Sequence, residues 1–212
     1  MFKKITRRNL EEFLKRYATK SRVLDVGSGG SSYQKFFPNR VTVDIDPNRE
    51  PDVIGDAHAL PFKDGEFETV LCTEVLEHVK NPFDVEKEFW RVLKPGGILV
   101  LSTRFIFPIH DAPNDFWRFT RYGLKMIFKQ WEIIELTDEA ATFSTLAVLL
   151  QRISFQTRLR ANAAIKLFLF VSAWVLDHTN GLVIEEYGDI KKTRKEYNIL
   201  SSGYYLACRK KL

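Results

Sequence analysis

Length, composition and charge exclude several classes of protein. The chain has 212 residues, 45% hydrophobic and 28% charged, with a formal net charge of +5. This length suits one globular domain, and the balance of apolar and charged residues argues against a disordered chain. Cys72 and Cys208 lie far apart in apolar surroundings, which indicates reduced, buried thiols in a cytoplasmic protein. No cysteine and histidine spacing typical of zinc occurs, so no metal site is predicted.

The first 22 residues are predicted to form a basic N-terminal helix, because apolar residues at positions 10, 13, 14 and 17 have helical spacing. Such an arm suits nucleic acid or an anionic membrane surface, but charge runs more often form a solvated helix face. We therefore expect no nucleic-acid partner and keep peripheral membrane contact as an alternative. The basic residues are Lys3, Lys4, Arg7, Arg8, Lys15, Arg16, Lys20 and Arg22.

Short apolar runs in the first half of the chain predict buried strands. A helical pattern over residues 81–93, ended by Pro95-Gly96-Gly97, separates the last two runs. Strand, helix, strand is the crossover unit of a parallel sheet, so we predict a doubly wound α/β domain that binds its ligand at the carboxyl ends of the strands. The predicted strands are residues 23–26, 41–45, 53–54, 69–72 and 98–102.

The later chain is less regular. Thr120 is predicted to cap a helix, residues 131–136 suit a strand, and residues 204–208 suit the final strand. Residues 137–202 are predicted to be a helical insertion between these last two strands. Its apolar stretches are shorter than the roughly 20 residues that span a bilayer. Three roles fit this insertion: a helical cap over the substrate site, a surface for dimerisation or membrane contact, or ordinary packing of helices on the domain.

A glycine-rich turn, Gly27-Ser28-Gly29-Gly30, directly follows the first predicted strand. Glycine lets the backbone adopt positive φ and approach a ligand closely. The dinucleotide fingerprint would need a third glycine at position 32, but Ser32 stands there. The missing glycine disfavours an enzyme that binds the pyrophosphate of a nicotinamide cofactor. It does not disfavour an enzyme whose cofactor is a sulfonium compound, because such a cofactor has no pyrophosphate.

Four acids fall at the same edge of successive predicted strands. We expect Asp44 to accept hydrogen bonds from ribose hydroxyls, with Asp46 as its competitor. Asp56, beside Ala57, is expected to accept the adenine amine. Asp25 is expected either to hold the glycine turn or to receive an ammonium group through water. Each acid alone fits a turn, but together they favour a cationic ligand that carries adenosine, S-adenosylmethionine.

Five segments in order resemble motifs of class I S-adenosylmethionine-dependent methyltransferases of the Methyltransf_11 type: VLDVGSG, VDID, GDAHALPF, VLEHV and LKPGG. The resemblance covers about residues 22–136. It implies a single methyltransferase domain over residues 1–212, with a Rossmann-like seven-stranded sheet whose last strand, residues 204–208, is antiparallel. It also implies cofactor contacts by Gly27, Gly29, Asp44 and Asp56. Family members have a fuller helix between the second and third strands than this chain offers. The full predicted cofactor set is Asp25, Gly27, Ser28, Gly29, Asp44, Ile45, Asp56, Ala57, Thr73 and Glu74.

The segment 108–120 is rich in aromatic and ionisable residues, and it follows the fifth predicted strand. We predict that His110 or Asp115 accepts a proton or orients the acceptor, and that Arg118 binds the acceptor. The alternative is an Asp115–Arg118 ion pair with rings that close the core. Glu74 and His78 are secondary candidates, with His78 interpreted as a packing or cap residue. The segment also resembles a stretch in methyltransferases found near polysaccharide genes.

The sequence therefore predicts an enzyme that methylates a small-molecule, lipid-linked or glycan acceptor. A second hypothesis is a non-catalytic protein that binds an adenosyl ligand and recruits a partner. A third is a nicotinamide oxidoreductase. Turnover separates the first hypothesis from the second, and the type of cofactor separates it from the third. The helical insertion, residues 137–202, is also a candidate surface for oligomerisation.

Overall fold

The structure is a computed structural model that describes residues 4–29 and 33–212. The predicted positions Gly30 and Ser32 lie outside the described residues. The helices are α1 Ile5–Arg16, α2 Pro82–Val92, α3 Arg121–Ile127, α4 Thr142–Gln156 and α5 Asn162–Asp177. The strands are β1 Val23–Val26, β2 Arg40–Asp44, β3 Val53–Ile54, β4 Phe67–Thr73, β5 Leu93–Arg104, β6 Glu132–Asp138, β7 Glu186–Tyr187, β8 Lys195–Glu196 and β9 Gly203–Arg209.

Seven strands form one sheet in the order β3-β2-β1-β4-β5-β9-β6. β1 pairs in parallel with both β2 and β4, and β4 pairs in parallel with β5. β9 runs antiparallel to β5, because the Gly96 amide donates to Lys210 at 3.0 Å near one end and the Phe105 amide donates to Ser202 at 3.0 Å near the other. The predicted Rossmann-like α/β fold, with an antiparallel last strand, is confirmed.

The sheet reverses its direction of growth at β1, since β2 and β3 lie on one side of it and β4 and β5 lie on the other. All four residues of β1 are buried, including Asp25, as expected for a strand in the interior of a parallel sheet. The carboxyl ends of β1, β2 and β4 therefore meet at the topological switch point, where ligands of open α/β sheets bind.

β5 begins five residues before the predicted strand. The run Pro95-Gly96-Gly97, which was predicted to end the preceding helix, belongs to β5. The amide of Gly96 and the carbonyl of Gly97 both bond to Lys210, at 3.0 and 2.9 Å. Strand pairing thus overrides the local preference of proline and glycine for turns. Between β2 and β3 there is only a 3-10 turn, Pro47–Arg49, as the lack of an apolar face there suggests.

The chain divides into two compact units. Of the described residues, the larger comprises 12–29, 33–104, 109–137 and 204–212, and it contains β1 to β5, α2 and α3. Both cysteines are in this unit, fully buried in β4 and β9. Its N-terminal basic residues form ion pairs, such as Arg16 with Glu135 at 2.5 Å and Arg22 with Glu66 at 2.8 Å.

Of the described residues, the smaller unit comprises 4–11, 105–108 and 138–203, and it contains α4, α5 and the antiparallel pair β7 and β8. Ala147, Val148 and Ala173 form its buried cluster with Ile5. Asn180 accepts the amides of Phe143 and Ser144 at 3.0 and 3.1 Å, so it satisfies donors at the start of α4. No helix among the described residues is both long and apolar enough to cross a membrane. The single-domain interpretation of residues 1–212 stays a prediction.

Candidate cofactor and acceptor site

The turn after β1 requires glycine. Gly27 has φ +65°, and a Cβ on it would lie 2.3 Å from Cγ2 of Val75, the second residue after β4. Gly29 also has positive φ, +53°. The Gly27 amide donates to the Val43 carbonyl at 2.8 Å, so β2 fixes the turn. The backbone of the turn therefore passes close to the carboxyl ends of β2 and β4, a position that only glycine permits.

Asp44, the last residue of β2, lies against this turn. Its Oδ2 accepts the Gly29 amide at 2.9 Å, and its Oδ1 accepts the Asp46 amide at 3.0 Å. The competitor Asp46 instead caps the following 3-10 turn by accepting the Asn48 amide at 2.9 Å. Each carboxylate oxygen of Asp44 has a further lone pair for a ligand hydroxyl. The next residue, Ile45, is exposed.

Asp25 lies in the interior beneath the turn. Its carboxylate is fully buried, and its Oδ2 accepts from Nη1 of Arg40 at 2.6 Å. This ion pair joins β1 to the first residue of β2. Ser28 is buried as well. The sequence analysis did not identify Arg40, because nothing in its position before an apolar run marks it as the partner of Asp25.

Asp56 and Ala57 follow β3 by two and three residues. The Oδ1 of Asp56 accepts the His58 amide at 2.9 Å and lies 2.6 Å from the His58 ring Nδ1. Asp56 thus stabilises its own turn. This is the turn role that the sequence analysis gave as the alternative to ligand binding for each of the four acids. The preceding Gly55 is tightly packed, since a Cβ there would lie 2.9 Å from Cδ of Pro61.

Glu74 directly follows β4 in a left-handed conformation, φ +58°. This conformation is unfavourable by about 1–3 kcal/mol for a residue other than glycine, so the neighbouring contacts must hold it. Its amide donates to the Ser102 carbonyl at 3.0 Å, and its Oε1 accepts from the Ser102 hydroxyl at 2.7 Å. Its Oε2 pairs with Arg104. Thr73, before it, is buried at the end of β4.

The three predicted catalytic residues lie together. Arg118 donates to Oδ1 and Oδ2 of Asp115 at 2.6 and 2.8 Å, and the His110 amide donates to Oδ2 at 3.0 Å. The guanidinium of Arg118 holds the pKa of Asp115 well below its usual range. A carboxylate so stabilised in its charged form is a weak base, so the geometry favours a positioning role for Asp115 over proton abstraction.

His110 also meets His78, which the sequence analysis interpreted as a packing or cap residue. Their Nε2 atoms are 3.1 Å apart. The Glu77 carboxylate lies beside both rings, with its Oε1 at 4.0 Å from His78 Nε2 and 3.9 Å from His110 Nε2, while its Oε2 accepts from Thr103 at 2.8 Å. Burial raises the pKa of Glu77 to about 7 and lowers the pKa of His110 to about 4.

Comparison with known proteins identifies the kind of domain. The model of a methyltransferase domain family, Methyltransf_11, matches residues 24–101. The 2-methyl-6-phytyl-1,4-hydroquinone methyltransferase of Synechocystis sp. is 35% identical over 127 residues, which cover 51% of this chain and 39% of that protein. The chain spans less than half the length of the first curated relatives it matches, 48% and 39%.

Solved structures share the fold along nearly the whole chain. The [4+2]-cyclase SpnF has a TM-score of 0.62 at 15% identity, over 98% of this chain and 81% of that one. The phosphoethanolamine N-methyltransferase 2 of Haemonchus contortus, solved with phosphomonomethylethanolamine and S-adenosylhomocysteine, has a TM-score of 0.60 at 16% identity, over 97% of this chain and 53% of that one. The predicted resemblance to methyltransferases is confirmed over residues 24–101, which match the model of a methyltransferase domain.

Proposed function

We propose that this protein transfers a methyl group from S-adenosylmethionine to a small-molecule, lipid-linked or glycan acceptor. The observation that carries the proposal is the contact between Asp44 and the glycine turn at the carboxyl ends of β1 and β2. A turn without side chains, next to a carboxylate with free lone pairs, suits the amino acid portion and ribose of this cofactor. The match of residues 24–101 to a methyltransferase domain supports the same ligand.

The proposal gives each end of the cofactor its own residues. Gly27, Ser28 and Gly29 pass beside the amino acid portion, and Asp25 supports that turn through Arg40. The ribose hydroxyls bond to Asp44. The remaining predicted contacts, which complete the adenine pocket and the floor of the site, are Ile45, Asp56, Ala57, Thr73 and Glu74.

When bound, S-adenosylmethionine supplies an activated methyl group. The chain's task is then to hold the acceptor atom in line with that group, which can provide most of the rate enhancement. In this proposal Arg118, His110 and Asp115 orient the acceptor. Their positions are fixed before the acceptor arrives, because the amides of Phe116 and Trp117 both donate to the Glu77 carbonyl at 3.0 Å.

The proposal also assigns the protein to the cytoplasm, with the segment 137–202 as a surface for oligomerisation or peripheral membrane contact. Three large apolar side chains on α5 support this role: Leu167, Phe168 and Trp174 are each more than half exposed. Light scattering of the purified protein and its co-sedimentation with anionic vesicles, each repeated with Phe168→Ser, separate the two roles. A variant that behaves as the wild type in both would contradict the assignment.

Label transfer tests the methyltransferase activity. The purified protein is incubated with S-adenosylmethionine carrying a labelled methyl group and with fractions of a cell extract. We expect label to move into one fraction, and polar and lipid fractions then distinguish the acceptor classes. Tight binding of the cofactor without transfer to any fraction would overturn the proposal.

Cofactor binding has a separate test in the thermal shift caused by S-adenosylhomocysteine. We expect Asp44→Ala to abolish the shift, because the ribose loses its acceptor. Asp46→Ala is the matched control, since this neighbouring acid caps its own turn and should leave the shift intact. Equal shifts in the two variants would remove Asp44 from the site.

A further inference from the structure

We propose that Glu77, His78 and His110 bind a divalent transition-metal ion of the zinc class. One oxygen and two ring nitrogens of these residues converge within 4.8 Å of one another. Two imidazoles and one carboxylate form a ligand set that suits zinc and similar ions, whereas Mg²⁺ and Ca²⁺ prefer oxygen ligands alone. The sequence analysis predicted no metal site, because His110 is 32 residues from His78 and no motif spacing joins them.

The distances between the three atoms fit one ion. The two Nε2 atoms are 3.1 Å apart, and Glu77 Oε1 lies 4.0 and 3.9 Å from them. One point lies about 2.2 Å from all three atoms of such a triangle, at the upper end of zinc–nitrogen and zinc–oxygen distances. Shifts of a few tenths of an ångström would give ideal coordination.

A hydrogen bond behind the His78 ring, and a carboxylate behind the His110 ring, favour tautomers whose lone pairs face that point. Nδ1 of His78 lies 2.7 Å from the Asn114 carbonyl, which can only accept, so Nδ1 carries the hydrogen and the neutral ring presents a lone pair at Nε2. Nδ1 of His110 lies 3.3 Å from Oδ2 of Asp115, and a hydrogen there leaves the same lone pair at its Nε2. In these tautomers two lone pairs would face each other at 3.1 Å, and a cation between them would remove their repulsion.

Glu77 supplies the negative charge. Its side chain is fully buried, and its Oε1 has no hydrogen-bond partner among the residues that the structure describes. Oε2 is satisfied by Thr103, so only the oxygen that faces the two rings is left over. Burying a carboxylate in its charged form is unfavourable unless hydrogen bonds and opposite charges compensate it. An ion at the convergence point would compensate that charge.

The surrounding residues form the support that metal-bound histidines usually have. Asp115 stands behind His110 as a carboxylate, and Arg118 fixes Asp115 through two hydrogen bonds. This carboxylate–histidine arrangement orients a ring toward its metal. In this proposal the Asp115–Arg118 ion pair has a positioning role, because it holds His110 in the orientation that the ion requires.

Three protein ligands leave coordination positions for other molecules, as in catalytic zinc sites. The side chains of His78 and His110 are 17% and 15% exposed, whereas that of Glu77 is buried. A solvent or substrate molecule would therefore approach the ion from the side of the two histidines. An acceptor hydroxyl bound there would be held and made more acidic. This role rests on the proposed function, but the binding of the ion does not.

The test uses Co²⁺ as the probe, because its visible absorption reports nitrogen and oxygen coordination. Protein dialysed against a chelator is titrated with Co²⁺, followed by absorption and by calorimetry, and Zn²⁺ is then added as competitor. We expect one ion per chain, displaced by Zn²⁺. His78→Ala and His110→Ala should each weaken binding at least about tenfold, and Asp115→Asn should weaken it about 10–100-fold. His178→Ala, which removes a histidine of the smaller unit, should bind as the wild type does.

Absence of Co²⁺ binding to the wild-type chain would overturn the proposal, and a proton shared between the two rings would then explain their approach. Binding unchanged in both His78→Ala and His110→Ala would also overturn it. The S-adenosylhomocysteine thermal shift of each variant is measured in parallel. A retained shift shows that the variant is folded, and it separates failure of the metal site from failure of the proposed function.

Discussion

The strictest requirement on any single residue of the candidate site falls on Gly27. Its positive φ disfavours every other residue, and its missing side chain leaves room for Val75, whose Cγ2 would be 2.3 Å from an added Cβ. Gly29 shares the positive φ, but among the described residues an added Cβ there would meet only the Gly27 carbonyl oxygen, at 3.7 Å. The two glycines of one turn therefore differ in the physical reason for their presence.

This difference gives a prediction for glycine substitutions. Gly27→Ala should lower the free energy of unfolding by about 2–4 kcal/mol, because backbone strain and overpacking add. Gly29→Ala should lower it by about 1 kcal/mol from backbone strain alone. Urea denaturation measures both, and Val75→Ala in the Gly27→Ala background should recover part of the loss. Equal losses in the two single variants would refute the contact with Val75.

At the scale of elements, the buried pair of Asp25 and Arg40 connects two strands of the sheet. Both side chains are almost inaccessible, at 1% and 11% exposure. The attraction of such a pair is offset by the loss of hydration, but removing only one partner leaves a buried charge uncompensated. The pair thus links the position of the glycine turn to β2.

We expect Arg40→Ala to lower the free energy of unfolding by about 3–5 kcal/mol. Asp25→Asn combined with Arg40→Ala should be more stable than Arg40→Ala alone, because no charge is then left buried. Arg49→Ala is the control, since its exposed pair with Asp46 should contribute at most about 1 kcal/mol. Chemical denaturation of the wild type, Asp25→Asn, Arg40→Ala and the double variant gives the coupling energy, and additive losses would argue against the pair.

Much of the sheet could be predicted from sequence, because apolar runs bounded by turn residues mark buried strands. β1 and β3 have the predicted bounds, and the predicted cap Thr120 begins α3. β7 and β8 were missed because Glu186–Tyr187 and Lys195–Glu196 are two-residue strands without an apolar pattern. The start of β5 was missed because its ladder with Lys210 is a contact distant in sequence.

In the candidate site, too, contacts between residues distant in sequence could not be predicted. Residues at the carboxyl end of a strand or directly after it, such as Asp44 and Gly27, could be predicted because the sheet places its strand ends together. The approach of His110 to His78 could not, since it depends on how the segment after β5 folds back over the turn at Glu77. No local pattern encodes that return.

At the scale of the whole molecule, ion pairs reduce the positive charge that the basic residues near the N-terminus present to a ligand. Among the described basic residues near the N-terminus, Arg7 pairs with Glu11 at 3.5 Å and Arg22 pairs with Glu66 at 2.8 Å. Within the smaller unit, Arg8 pairs with Asp177 at 3.2 Å. Local neutralisation of this kind weakens the field that attracts a polyanion.

We therefore expect weak binding to nucleic acid. Fluorescence anisotropy with labelled DNA at physiological salt should give a dissociation constant above the 10⁻⁴–10⁻⁶ M that is typical of non-specific binders. Glu66→Gln combined with Glu135→Gln should strengthen binding, because Arg22 and Arg16 are released. Micromolar binding by the wild-type chain would contradict this expectation and revive the basic arm as an interaction surface.

The two thiols have a consequence for following the motions of the sheet. Cys72 lies in β4 at the centre, Cys208 lies in β9 between β5 and β6, and burial raises the pKa of both thiols well above the usual range. A thiol that is both inaccessible and protonated reacts with a disulfide reagent only when its strand opens. The chain thus carries two native reporters, and their separate reaction rates would show whether the two regions of the sheet open together or one before the other.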